Sequence, residues 1–270
     1  MQNAKPEVWM GEGPVLLAYA DHVATLTLNR PDASNGMNIA LMKALQEAVM
    51  RCHREPEVRV VHLRGAGKNF CAGGDVREFA AQGAGLGDFL REVTAWLQMA
   101  IGALIRLDAV VVAEIQGFAA GGGGLGLVCA SDIVIAGEGA KFLAGATRVG
   151  MAPDGGGSVI LPHLVGLRRA AEIILSNRIV EAAEAERIGL ITRKVPDEAL
   201  AAEAASTAAF YAAGAPLALS AAKRLLWNAI EVERALPEEA RTVSTLSATA
   251  DSREGLAAVI EKRKPTFRGA

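Results

Sequence analysis

The stretch VVVAEIQGFAAGGGGLGLVCASDIVIAG, residues 110–137, decides how the rest of the chain is read. A β-branched run ends at Gly117, four glycines occupy 121–124, an apolar segment follows, and a second β-branched run begins at Ile133. Strand, glycine turn, helix and strand in that order form the repeating unit of an α/β protein. The turn also has a chemical consequence. It aims free backbone N–H groups at whatever lies before the helix, and glycine lets a ligand oxygen approach without meeting a β-carbon.

The same grammar extends outward. Upstream, VLLAYADHVATLTLNRP reads as a strand pair broken at Asp21 and His22, and IALMKALQEAVMRCH after Asn38 has apolar positions at helical spacing. The run VRVVHLRG is a strand, and a second glycine loop, GAGKNFCAGGDV, leads to a helix through FLREVTAWLQMAIGALIRL. After about residue 170 the pattern is helical, with one short strand candidate near LITRKV. The expectation is an α/β fold with residues 1–200 as the core and 201–270 as a C-terminal helical subdomain, in one cooperative unit.

Composition removes several function classes. There are 28 basic and 30 acidic side chains, so a net charge of −2 supplies no footprint for nucleic acid or an anionic membrane. The opening residues carry no apolar run of signal-peptide type, and no later segment has the length of a membrane span. Cys52, Cys71 and Cys129 are unevenly spaced in apolar settings, which reads as reduced, buried thiols in a cytoplasmic protein. His22, His53, His62 and His163 show no pair at metal-ligand spacing, and Ser158 lacks a nucleophile-elbow context. Neither glycine loop fits the dinucleotide or P-loop pattern.

Taken together, LTLNRP, NFCAGGDV, QGFAAGGGGLGL with SDIVIA, KFLAGATRVGMAPDGGG with ILPHLVG, and SREGLAAVIEKRKPTFRG resemble the enoyl-CoA hydratase/isomerase (crotonase) superfamily, in its order, from about residue 14 to the C-terminus. The resemblance implies a spiral of ββα units with C-terminal helices, and a homotrimer or dimer of trimers. It implies an acyl-CoA thioester substrate whose CoA is part of the substrate, with no separate cofactor. The thioester oxygen would sit between two backbone N–H groups, carried here to Gly74 and Gly123. Counted from Gly117 the second donor falls on Gly122; counted back from Asp132 it falls on Gly123, since the loop is one residue longer than usual. Ala72, Gly73 and Asp75 match the CoA loop, Ser34 and Gly36 the segment after the N-R-P turn, and Lys264 and Phe267 C-terminal residues that meet the adenine; for Ser34, Gly36, Lys264 and Phe267, a turn or a solvated tail is an equal alternative.

The chain departs from the family's hydratases where they carry two glutamates. The first position falls on Gly126, or on Leu125 in the other register, and the second on Ala146. None of these can hold a proton. Asp154 remains. On its own, P-D-G is a turn and an aspartate before glycines is an N-cap; members of the family that shift double bonds use one carboxylate at this position. The reading is therefore an acyl-CoA isomerase, of the enoyl-CoA Δ3–Δ2 or ring-epoxide/oxepin type, with Asp154 moving the proton. A hydratase or hydrolase using an acid such as Glu78 or Glu138, and a non-catalytic acyl-CoA binding protein, are the alternatives. Phe79, Phe89 and Trp96 are candidates for shaping the acyl pocket.

Overall fold

In the computed structural model, residues 6–228 and 230–269 are described. The strand pair read around Asp21 and His22 is β2 (Val15–Ala20) and β3 (Val23–Leu28), preceded by β1 (Glu7–Met10). Asp21 and His22 have φ of 49° and 66°. Two successive residues at positive φ give the turn whose twist suits a tight hairpin, and Ala20 pairs directly with Val23.

From β3 the chain crosses through α1 (Ile39–Arg54) to β4 (Val60–Gly65), which pairs parallel with β3. The α1 start is fixed by Asn38, whose side chain accepts from the Leu41 N–H at 2.9 Å. Then α2 (Val76–Ala81) and α3 (Leu86–Arg106) precede β5 (Val110–Ile115). Every β5 residue is buried, as a central strand covered on both faces requires. Next come β6 (Phe118–Ala120), a π-helical turn at Gly122–Gly126, α4 (Leu127–Cys129) and β7 (Ile133–Gly137). After β8 (Lys141–Leu143) the chain runs through α5 (Ile160–Val165), α6 (Leu167–Ser176), β9 (Val180–Glu181), α7 (Ala182–Arg187) and β10 (Arg193–Val195). The main sheet has the order β1-β2-β3-β4-β5-β7-β10, and a smaller one the order β6-β8-β9.

The remaining helices are α8 (Leu200–Ala212), α9 (Pro216–Trp227), α10 (Val232–Ser247) and α11 (Ala250–Ile260). Ala208 and Ala212 of α8 pack on Val60, Val110 and Val112 of the main sheet. Helix α10 lies along α3, while α11 touches α2 and the 3-10 turn Ala146–Val149. That last contact is close enough to require glycine: a β-carbon on Gly255 would stand 2.6 Å from Val149 Cα.

The mixed architecture with C-terminal helices agrees with the sequence. The strands that pattern alone does not reveal are β1, β6, β8 and β9, each of two to four residues and too short to show a period. All three cysteines are free and buried, and burial pushes each thiol up to about 12. Among the described residues no helix is long and apolar enough to cross a membrane, and no group of three or more His, Cys, Asp or Glu is placed to hold a metal ion.

Candidate active site

The two glycine loops and the Asp154 segment meet at one cavity of about 200 Å³. Gly74, Gly122 and Asp154 are on its wall with Ala72 and Gly73, and Phe79, Leu90, Val243 and Leu256 supply an apolar lining. The first loop arrives there because it is tied to the segment before α1. Met37 N–H donates to Gly73 at 2.7 Å, and Met37 accepts from Asp75 N–H at 3.0 Å. Asp75 then caps α2, accepting from Glu78 N–H at 3.2 Å, and pairs with Arg30 at 3.0 Å.

The second loop holds Gly121 at φ 58° and passes into the π-turn, whose first N–H groups lack partners one turn back. A π-turn takes up one more residue than an α-turn. A turn of this kind can hold the one residue by which the counts from Gly117 and from Asp132 differ. Gly122 is on the cavity wall and Gly123 is not. Behind the wall, a β-carbon on Gly123 would meet Met37 Cβ at 3.1 Å and Cys71 Sγ at 3.2 Å.

Asp154 faces Gly122 directly, its carboxylate filling the space a β-carbon on Gly122 would need. Burial pushes the Asp154 carboxyl up to about 7, and the nearby charge of Glu239 adds to the rise. The backbone N–H groups of Gly122 and of Asp154 itself act in the other direction. Sequence reasoning missed Glu239. It is buried on α10 and accepts from Gly156 N–H at 2.7 Å, from Ser158 N–H at 2.8 Å and from the Ser158 hydroxyl. Its signal in the sequence is a glutamate in the stripe Val232, Leu236, Glu239, Val243, which is otherwise apolar and buried.

Other expected residues stand elsewhere. Ser34 and Gly36 are beside the first loop, with Ser34 accepting from Ala72 N–H at 3.0 Å, but neither is on the cavity wall. Asp75 is also off the wall, engaged as cap and ion-pair partner. Lys264 and Phe267 follow α11 as exposed residues and do not reach the cavity. Glu78 holds Asn38 at 2.8 Å, and Glu138 holds Lys194 at 2.7 Å; neither lines the cavity. Of the three aromatic candidates, Phe79 lines it, Phe89 packs edge-on against Phe79, and Trp96 lies under Lys43.

The hydratase positions are apolar in space as in sequence. Ala146 is on the cavity wall. A β-carbon on Gly126 would come within 2.6 Å of the Gly155 carbonyl oxygen, so no side chain fits there.

The profile of the enoyl-CoA hydratase/isomerase family matches residues 19–270. A probable enoyl-CoA hydratase of Rhodobacter capsulatus is 38% identical over 254 residues, covering 93% of this chain and 96% of that protein. The 2,3-dehydroadipyl-CoA hydratase of Escherichia coli is 32% identical over 260 residues, covering 94% and 98%. Among solved structures, an enoyl-CoA hydratase from Mycobacterium avium subsp. paratuberculosis superposes with a TM-score of 0.84 at 30% identity, covering 98% of this chain and 99% of that one. With its fold, its two glycine loops and its whole length matched in this way, the chain belongs to the enoyl-CoA hydratase/isomerase family.

Proposed function

We propose that this protein is an acyl-CoA isomerase in which Asp154 moves a proton along a thioester held by backbone N–H groups of Gly74 and Gly122. The observation that carries the reading is that Asp154 is the one acid on the cavity wall among the described residues. One base suffices for a double-bond shift. Asp154 takes the proton from C2 of a 3-enoyl thioester, the electrons move onto the carbonyl oxygen, and the Asp154 carboxyl, whose proton exchanges with solvent, returns a proton to the resulting dienolate at C4. The base is regenerated and the product is the 2-enoyl thioester.

Donors aimed at the oxygen stabilise the dienolate, each worth about 3 kcal/mol in the transition state. A carboxyl raised to about 7 is half ionised near neutral pH, which suits both taking and returning the proton. The apolar lining suits an uncharged acyl group, and CoA enters as part of the substrate. We assign the second donor to Gly122, which lines the cavity as Gly123 does not; its N–H also faces the Asp154 carboxyl, so a bound thioester oxygen would share it with that carboxyl. A homotrimer or dimer of trimers belongs to the same proposal, supported by exposed apolar side chains on α8 and α9 such as Phe210, Leu217 and Leu225.

Hydration of a 2-enoyl-CoA is the second reading, favoured by the names of the relatives, which are mostly hydratases. It asks one carboxylate both to activate water and to govern protonation at C2. Presenting the purified protein separately with a 3-enoyl-CoA and a 2-enoyl-CoA divides the two. Conjugation of the first without water addition to the second is expected. A 3-hydroxyacyl-CoA from the second, with no conjugation of the first, would overturn the isomerase reading.

A further inference from the structure

The loop carrying Asp154 is clamped from two sides. On one side Gly155, at φ 60°, lies so close to the π-turn that a β-carbon would stand 2.8 Å from the Gly122 carbonyl oxygen. On the other side the loop hangs from α10. Gly156, at φ 83°, and Ser158 turn their N–H groups to Glu239, which is 6% exposed. Within the loop, Gly157 N–H donates to the Asp154 carbonyl at 3.0 Å, and Ile160 N–H to that of Gly156 at 2.7 Å.

A buried glutamate on an apolar helix stripe costs desolvation unless its oxygens are engaged. Here both oxygens accept and every hydrogen-bond partner is a donor, an arrangement suited to the carboxylate anion. All three of those partners belong to Gly156 and Ser158, in the turn immediately after Asp154. Resting on the reading of Asp154 as the base, we propose that Glu239 is its positioning residue, holding the 154–158 loop through Gly156 and Ser158 and placing a second carboxylate behind the first.

The electrostatic side agrees. Glu239 contributes to the raised proton affinity of Asp154, second to burial. Burial pushes the Glu239 carboxyl up, and its hydrogen bonds from Ser158 and Gly156 oppose the rise. Other charged or titratable groups around the pair are few. Arg148 lines the same cavity as Asp154, the buried thiols of Cys71 and Cys129 lie on the glycine-loop side, and Arg234 and Glu238 of α10 border the outer cavity at Ser158.

The test is a carboxyl-carbon NMR titration of the full chain without substrate, with the Asp154 signal assigned by its loss in Asp154→Asn, beside steady-state kinetics. In Glu239→Gln the Asp154 midpoint should fall by at least ~0.5 pH unit, because a like charge that favours protonation is gone. Turnover of a 3-enoyl-CoA should drop about tenfold with KM within about threefold. A folded Glu239→Gln protein with the wild-type midpoint and kcat would overturn the proposal; a purely structural glutamate would lower melting temperature alone. Should that variant not fold, Ser158→Ala decides, since Ser158 is exposed and its loss removes one of three bonds: kcat should fall about two- to fivefold at constant KM, and unchanged kcat would overturn the role. The titration needs no turnover. A wild-type protein inactive on the thioester but shifted in midpoint by Glu239→Gln would therefore reject the isomerase reading while leaving the coupling of the two carboxylates standing.

Discussion

The carboxylate of Asp154 occupies the place that a β-carbon on Gly122 would take, so the acid and the glycine-loop backbone form one surface. This relationship makes the absence of a side chain at 122 a steric requirement of the site. A thioester oxygen near the Gly122 N–H would lie beside the group proposed to move its α-proton.

Gly122→Ala should therefore displace Asp154 and lower kcat/KM by about 100-fold or more, the scale of a lost oxyanion donor. Gly123→Ala meets only side-chain atoms of Met37 and Cys71 at 3.1–3.2 Å, and should lose about tenfold at most. Parallel kinetics on the two variants check the assignment. A larger loss at Gly123 would return the donor to that residue.

A base raised to about 7 predicts the pH profile. The reactive form is the anion, so kcat/KM should rise through one ionisation near pH 7 and level above it. Measurement from pH 5 to 9 checks the limb. A plateau extending down to pH 5 would place the base in the ordinary carboxylate range.

Stability should run against activity. The Asp154 pKa is raised on folding, from an ordinary aspartate's 3.8 to about 7, so the folded protein binds its proton more tightly. That contribution is full below the unfolded pKa and is lost as pH rises through the folded one. Asp154→Asn carries no charge, and should melt higher than the wild type at pH 8, by the equivalent of about 2 kcal/mol, with the gap closing below pH 5. Calorimetry at the two pH values is the check, and an equal gap at both would disprove the linkage.

A carboxylate should be accommodated at Ala146 and excluded at Gly126. Ala146→Glu would place a carboxylate on the cavity wall, whereas Gly126→Glu must push into the Gly155 backbone, which lies within 2.6 Å of the new β-carbon. The second variant should lose at least about 2 kcal/mol of stability and gain no hydration. Denaturant melts of both proteins, with assays on a 2-enoyl-CoA, decide it.

Legibility from sequence followed the range of the signal. The β2–β3 turn, the helix that starts after Asn38 and the β-branched run of β5 are local patterns, and each is where the sequence places it. Asp154 is ambiguous in the sequence because P-D-G suits a turn and a base equally; the packing of Gly122 and Glu239 around it is what supports the proposal that it is a base. The register of the second loop was ambiguous because a π-turn leaves no mark in composition. Glu239 was invisible for a different reason. It lies 83 residues from Gly156, its hydrogen-bond partner, and reads as one more acid on a helix until α10 is packed.

Proton transfer by Asp154 is the central claim, and its most direct measurement is NMR of a 3-enoyl-CoA incubated in D2O with wild type and with Asp154→Asn. The account predicts conjugation with deuterium uptake at C2 and C4 by the wild type, and loss of both in the variant by about 100-fold or more while thioester binding persists. Equal conjugation and exchange by the two proteins would contradict it and leave Asp154 as a turn residue.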